Sequence, residues 1–257
     1  MGRLFLLCLV VGACGRLGFE PAAHDGSAVA SIDTTAASDA TDDGADGANA
    51  AAIAFVGSPI QHTGPMGASD TVTLQATNAG DALVFLVACA GSQAPTGVTI
   101  AAPNWAFTPL SPLTLNTVGQ VYAASFGAIA PDTAAVTLTI NWASSNCNRG
   151  QSTLADELTN VDPTGSTTTF DAHEQASGAG DCTTSVTTGN ANDAVWAGCY
   201  AATSVTAAGP GYTKSAADTV GDFAEYKLTT DPAGTVETPT FTNPNGFVIS
   251  AVTIKPR

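Results

Sequence analysis

Alternating apolar and polar residues run through the chain from Ile53 onward, and this alternation predicts β-strands. Residues 71–77, 120–126, 134–142 and 247–255 show it most clearly. In residues 134–142 one predicted face is apolar and the other polar: Val136, Leu138, Ile140 and Trp142 against Thr137, Thr139 and Asn141. Turns rich in Gly, Pro and Asn separate the strands, and no segment has helical spacing. The pattern predicts an all-β protein, a β-sandwich of the jelly-roll or Greek-key type.

Several sequence features occur twice in the same order, which indicates an internal duplication. Asp81 and Asp193 each precede an apolar strand, and each strand is followed by an aromatic turn containing Trp105 or Tyr212. A Tyr-containing strand and a closing strand, 154–163 or 247–256, complete each copy. We therefore expect one folded module over residues 53–257, with two halves of about 71–163 and 184–257. The halves should pack together, because each alone would leave an apolar face uncovered.

The N-terminal segment has the organisation of an export signal. Arg3 precedes a ten-residue apolar run, which is too short to span a bilayer but fits a signal peptide. The run ends in Val11-Gly12-Ala13-Cys14, which resembles the lipobox of bacterial lipoproteins. That resemblance implies removal of residues 1–13 and lipidation of Cys14, with Val11 at a position where the family favours Leu. Ordinary cleavage after Ala13 is the alternative. Gly15, rather than Asp, implies sorting to the outer membrane of a Gram-negative bacterium, facing the periplasm or the cell surface.

Residues 14–52 form a predicted disordered acidic tether. After the first residue, the segment holds one base, Arg16, and seven acids: Glu20, Asp25, Asp33, Asp39, Asp42, Asp43 and Asp46. Low hydrophobicity combined with one-sided charge is typical of disorder. A flexible chain of this length would hold the module roughly 30–40 Å from its anchor.

Charge excludes one large class of partner. The chain carries 22 acidic and 7 basic residues, for a formal net charge of −15. Nucleic-acid binding depends on clustered Lys and Arg, so we expect no nucleic-acid partner. The expected contact with a membrane is the lipid anchor alone.

The folded part resembles the duplicated β-sandwich modules of exported bacterial surface proteins and phage tail-associated proteins. The resemblance rests on the strand openings at Asp81 and Asp193, the aromatic turns and the closing residues Asn160-Val161-Asp162-Pro163. It covers roughly residues 54–257, and its motifs are structural. It implies adhesion or glycan contact but no shared catalytic activity.

Four cysteines remain after Cys8 and Cys14 are assigned to the signal and the anchor, and an even number in an exported chain predicts two disulfides. Three pairings are open. Cys89 and Cys199 lie late in corresponding strands, which favours Cys89–Cys199 and, between loops, Cys147–Cys182. Zinc is the alternative, although no CxxC pair or nearby His supports it.

Candidate site residues are few. Asp171, His173 and Glu174 are the one cluster of His with acids, but Glu174 points to the opposite face from Asp171 and His173, which favours a solvated strand end over a catalytic pair. Asp156 and Glu157 are neighbours in a strand, so they cannot share a face as a glycosidase pair must. Calcium at Asp218 and Asp222 is a weaker candidate than simple solvation. Trp105 and Tyr212 are the candidate ligand contacts, because sugar faces stack on exposed rings, but their equivalent places in the two halves favour a packing role.

These observations predict a non-enzymatic, lipid-anchored envelope protein without cofactor or metal, which contacts a glycan or an envelope protein through its loops. The alternative is a secreted carbohydrate-binding module or carbohydrate-active enzyme.

Overall fold

Antiparallel strands dominate residues 51–117, 119–217, 222–242 and 245–257, which are the residues that the computed structural model describes. The predicted signal peptide, Cys14 and residues 15–50 of the predicted tether lie outside them. The first half contains β1 (Ala54–Gly64), β2 (Ser69–Leu74), β3 (Ala82–Ala90), β4 (Gly97–Ala101), β5 (Thr108–Pro109), β6 (Thr114–Asn116), β7 (Val121–Ile129), β8 (Val136–Ala143) and β9 (Gly150–Thr159).

The second half begins with a four-residue helix and continues in strands. Its elements are α1 (Ser166–Thr169), β10 (Phe170–Gly178), β11 (Cys182–Thr183), β12 (Val186–Thr187), β13 (Ala194–Ala201), β14 (Thr213–Ala217), β15 (Phe223–Leu228), β16 (Val236–Glu237), β17 (Thr240–Phe241) and β18 (Phe247–Ile254). The prediction of an all-β, sandwich-like protein is confirmed. Each of the four segments with the clearest alternation forms a strand, with ends that differ by a few residues from those expected.

Each half contributes one large antiparallel sheet. The first sheet has the order β1-β9-β3-β7-β5, with β6 also paired to β7, and the second has the order β10-β18-β13-β15-β14. When the five strands of each path are counted along the chain, both orders read first, fifth, second, fourth, third. The two large sheets therefore share one strand topology.

Smaller sheets cover the outer faces. The three-stranded sheet β2-β8-β4 belongs to the first half, and the two-stranded pairs β11-β17 and β12-β16 belong to the second. In β8 the side chains of Leu138, Ile140 and Trp142 are buried, as the alternation predicts, while Thr137 and Asn141 are exposed.

Three apolar cores separate these layers. Alternate residues of β3, including Val84 and Leu86, meet Trp196 and Val252 of the second half in a central core between the two large sheets. The opposite face of β3, with Phe85, packs against the three-stranded sheet in a second core. A third core fills the space between the second large sheet and its small pairs. Both faces of each large sheet are therefore buried over its middle strands.

Polar contacts cross the central core at a few points. The indole Nε1 of Trp196 donates a hydrogen bond to Oδ2 of Asp156 at 2.7 Å, and the Ser215 hydroxyl donates to the same oxygen at 2.6 Å. The hydroxyls of Ser125 and Ser250 lie 2.7 Å apart between β7 and β18. Buried polar groups need hydrogen-bond partners, so these contacts favour one relative position of the two large sheets.

All four remaining cysteines form disulfides, but the predicted pairing is wrong. The bonds are Cys89–Cys147 and Cys182–Cys199, with Cα–Cα distances of 5.2 and 6.4 Å. Cys89 and Cys199 occupy the same face of corresponding strands, as expected. Those faces point away from the central core, one into the second core and the other into the third. Two large sheets therefore separate the two cysteines, and each bonds within its own half.

Candidate functional site

The aromatic turns that the sequence singles out have the same backbone construction in both halves. Trp105 N–H donates to the carbonyl of Ala102 at 3.5 Å, and Tyr212 N–H donates to the carbonyl of Gly209 at 3.1 Å. A proline occupies the second position of each turn. The third position has a positive φ, 63° at Asn104 and 81° at Gly211. This combination is typical of type II turns, and it presents the aromatic ring at the end of the turn.

Trp105 borders a surface groove of about 460 Å³ on the first half. Its ring is half-buried and stacks on Phe107, with ring centroids 6.1 Å apart. The other groove residues come from the turn itself and from the segment that leads into β8: Pro103, Asn104, Asp132, Ala134, Ala135, Val136, Thr137 and Thr139. The groove therefore combines one aromatic ring with amide, carboxylate and hydroxyl groups.

The groove is continuous with the outer face of the three-stranded sheet. Thr137 pairs with Thr73 of β2, and Thr139 pairs with Thr71. All four side chains are on the face opposite the second core, because the buried residues alternate with them. This face carries hydroxyls in two adjacent rows and no charged residue among these positions. It provides an uncharged surface rich in hydrogen-bonding groups next to Trp105.

Tyr212, the equivalent residue of the second half, is half-buried like Trp105, but its hydroxyl is bound to a carboxylate. Its ring packs against the third core, and its hydroxyl donates to Oε2 of Glu237 at 3.3 Å. The Lys227 ammonium also binds Glu237, at 2.7 and 2.9 Å. Burial and the nearby carboxylates of Glu237 and Glu225 raise the pKa of Tyr212. The structure assigns these contacts a packing role, so the two predicted ligand contacts differ in their surroundings.

A second, larger cleft of about 590 Å³ lies between β1 and the end of β2. Glu157 is on its wall and accepts hydrogen bonds from the Thr77 backbone N–H at 2.5 Å and the Thr77 hydroxyl at 2.9 Å. Burial raises the pKa of Glu157, and the nearby Asp81 carboxyl adds to this effect. Asp156 points to the opposite side of the sheet, toward Trp196. The expectation that Asp156 and Glu157 cannot form a pair on one face is confirmed.

The second half buries a further carboxylate at Glu225. Its two oxygens accept backbone N–H groups from Gly209 at 2.7 Å and Thr240 at 3.1 Å. Burial raises the pKa of Glu225 to about 7, against these two hydrogen bonds. Through these hydrogen bonds Glu225 links the aromatic turn and β17 to β15.

The other acidic candidates do not assemble a catalytic group. His173 and Glu174 are exposed, whereas Asp171 accepts hydrogen bonds from the Thr253 hydroxyl and the Asn190 amide. Asp218 lies outside the described residues, and Asp222 is buried and accepts the Ala201 N–H at 3.2 Å. Within the described part of the chain, no cluster of three or more His, Cys, Asp or Glu side chains is placed to hold a metal ion.

Sequence reasoning missed Glu225 and the buried state of Asp193. Glu225 is fully buried on the face of β15 that turns toward the third core, the face that also carries Phe223. Its neighbours Ala224 and Tyr226 belong to the central core on the other face, and this apolar pattern does not predict a buried carboxylate. The repeated Asn-Ala-x-Asp of residues 78–81 and 190–193 was a usable signal for Asp193, because it ends immediately before a buried central strand in both halves.

The fold and the groove define a class: an all-β, sandwich-like protein with two intramolecular disulfides and a surface groove that contains one aromatic ring. No protein-family model matches the chain, and no curated protein or solved structure is significantly similar to it. Among the described residues, no helix is long and apolar enough to cross a membrane.

Proposed function

We propose that the protein is a non-enzymatic lipoprotein of the Gram-negative outer membrane that contacts glycans through the groove beside Trp105. The observation that carries this proposal is the groove itself, where a half-exposed indole adjoins Asn104, Asp132, Thr137 and Thr139. An aromatic face offers the apolar surface of a sugar ring a stacking partner. A few polar groups around it are sufficient to fix the orientation of the hydroxyls.

Charge favours a neutral glycan over an acidic one. Among the described residues that line the groove there is no Lys or Arg, and Asp132 adds a negative charge to it. The whole chain has a formal net charge of −15, which repels polyanions at long range. The ligand class that fits is therefore an uncharged polysaccharide or the neutral part of a surface glycan.

Binding to an array of neutral and acidic glycans tests this proposal. We expect binding to neutral glycans, with at least a tenfold weaker affinity for Trp105→Ala, which corresponds to about 1.4 kcal/mol. Because Trp105 also packs on Phe107, Asp132→Asn and Thr137→Ala provide second variants on exposed groove positions. Met66→Ala, at an exposed site outside the groove, is the matched control. Equal binding by all variants, or no binding by the wild type, would contradict the proposal.

Anchoring is a separate part of the proposal. The two disulfides support an oxidising compartment outside the cytoplasm, and the lipobox-like segment at Cys14 supports lipidation. Intact mass and membrane fractionation of the wild type and Cys14→Ser test it. We expect a lipid-sized mass increment in the wild type only. An unlipidated chain that begins at Cys14 in the soluble fraction would replace the lipoprotein with a secreted module.

A secreted carbohydrate-active enzyme is the second candidate, and the cleft at Glu157 is the observation that favours it. Burial raises the pKa of Glu157, as a general acid requires. Both of its oxygens are nevertheless held by Thr77, and Asp156 lies on the other face. Polysaccharide turnover that is lost in Glu157→Gln would establish this alternative over the non-enzymatic proposal.

A further inference from the structure

The loop before β13 holds a carboxylate oxygen that has no partner. Asp193 is fully buried, and its Oδ2 accepts the backbone N–H of Asn190 at 2.9 Å. Its Oδ1 is buried and has no hydrogen-bond partner among the residues that the structure describes. A buried acceptor without a donor is costly, so this position calls for a ligand or a proton.

A second carboxylate lies beside the first. Asp171, at the start of β10, accepts hydrogen bonds from the Asn190 side-chain amide and the Thr253 hydroxyl. Asn190 thus contacts both carboxylates, the first through its backbone and the second through its side chain. Burial and, as a smaller effect, the negative charge of Asp171 raise the pKa of Asp193 to about 6.

The surrounding charge does not balance these acids. Lys255 lies near both carboxylates, and its ammonium binds Asp162 at 2.9 Å. Asp162, Asp171 and Asp193 together with Lys255 leave a formal charge of −2 at the end of the second large sheet. A single divalent cation would neutralise it.

The first half provides an internal comparison. Asp81 ends the corresponding Asn-Ala-Gly-Asp segment and accepts the side-chain amide of Asn78 at 3.1 Å. The residue before each aspartate has a positive φ, 89° at Gly80 and 62° at Asn192, so both loops make the same turn. Asp81, unlike Asp193, has no buried oxygen without a partner. Of these two equivalent turns, the one before β13 therefore carries the oxygen without a partner.

We propose that Asp171 and Asp193 bind a Ca²⁺ ion at the start of β10 and β13. Ca²⁺ takes six to eight oxygen ligands from carboxylates, amides, backbone carbonyls and water, in a flexible geometry. Zn²⁺ favours Cys and His ligands and Mg²⁺ demands near-ideal octahedral geometry, whereas the flexible shell of Ca²⁺ can add loop oxygens and water to two carboxylates. The ion gives Asp193 Oδ1 its missing partner and ties the 189–192 loop to β10. This site is independent of the glycan groove.

Thermal unfolding of the full chain at pH 7.5 tests the site, with 10 mM CaCl₂ compared with NaCl of the same ionic strength. For a dissociation constant of about 10⁻⁴–10⁻³ M, common in extracellular modules, Ca²⁺ should raise the Tm by about 3–10 °C. Asp171→Asn and Asp193→Asn should abolish the rise, and Asp81→Asn should retain it. Each variant removes a single carboxylate, so the comparison of the two site variants with Asp81→Asn assigns the effect to the site.

Several results would overturn the site. These are an unchanged Tm with Ca²⁺, an equal rise with NaCl, and a rise that survives in Asp171→Asn. If Asp193→Asn does not fold, Asp171→Asn decides the question, because its side chain is only partly buried. Calorimetric titration with CaCl₂ tests the site without unfolding the protein. We expect one binding event in the wild type and none at this site in Asp171→Asn.

Discussion

At the scale of single residues, the sequence pattern predicts the burial of apolar side chains but not that of polar ones. Alternation along each strand correctly predicts which apolar residues point inward, as in β8. It cannot predict Asp156 or Glu225, because the partners that make their burial tolerable come from distant segments. Trp196 and Ser215 hold Asp156, and the backbones at Gly209 and Thr240 hold Glu225. The sequence shows that these carboxylates are present, but their burial and their hydrogen-bond partners depend on the fold.

The hydrogen bond from Trp196 to Asp156 should contribute measurably to stability. Trp196→Phe keeps an aromatic ring in the central core and removes one of the two donors to a buried carboxyl. We expect a loss of about 2–3 kcal/mol in the free energy of unfolding, measured with urea. Trp142→Phe is the control, because Trp142 donates at 2.7 Å to the neutral amide oxygen of Gln151. Its loss should be smaller, about 1–2 kcal/mol, and equal losses would contradict a carboxylate-specific effect.

Glu225 should make stability depend on pH. Its folded pKa of about 7 is above the ordinary value of 4.5, so folding favours the protonated form. The contribution of this group is complete below pH 4.5 and is lost as the pH rises through 7. We expect wild-type stability to fall by about 1–3 kcal/mol more than that of Glu225→Gln between pH 4.5 and pH 8. Urea unfolding across this range measures the difference.

The exposed Glu174→Gln provides the control for the Glu225 experiment. It should leave the pH profile of the wild type unchanged. Parallel profiles for the wild type and Glu225→Gln would show that burial does not perturb the pKa of Glu225.

At the scale of elements, the sequence predicts where the strands lie better than it predicts which faces meet. The β3 segment Ala82–Ala90 is apolar at every position, so period-two alternation cannot say which face turns toward the other half. The cysteine pairing depends on that choice. Even-numbered residues of β3 contact the second half, and Cys89 is on the odd-numbered face.

The groove beside Trp105 is also only partly predictable from the sequence. The aromatic turn identifies Trp105, but the rows of Thr beside it depend on the register between β2 and β8.

The two disulfides should differ in their effect on stability. Cys89–Cys147 links residues 58 positions apart, and Cys182–Cys199 links residues 17 apart. In the chain-entropy account, the longer loop restricts the unfolded chain more, by about 4 kcal/mol against about 3 kcal/mol. Replacing each pair with Ala and measuring unfolding in urea checks this order. A larger loss on removing Cys182–Cys199 would mean that contacts in the folded state, rather than loop length, determine the effect.

At the scale of the whole molecule, the matching strand order of the two large sheets supports our proposal that the halves arose by duplication. Their packing explains why they remain together in one chain. Each large sheet is covered on its outer side by strands of its own half, whereas its inner side is covered only by the other large sheet. The central core contains Leu86 and Leu158 from one half and Trp196, Val248 and Val252 from the other, all buried. A single half would expose this apolar face to water.

Separating the halves should therefore prevent independent folding. We expect a chain cut after residue 165 to aggregate or to bind a hydrophobic dye such as ANS, because β3, β7 and β9 lose their cover. Co-expression with the complementary fragment, residues 166–257, should restore a soluble complex and suppress dye binding. The intact protein should unfold in a single transition when tryptophan fluorescence and circular dichroism are followed together. A soluble, monomeric first half without dye binding would contradict this prediction, because it would show that the half covers its own inner face without the second large sheet.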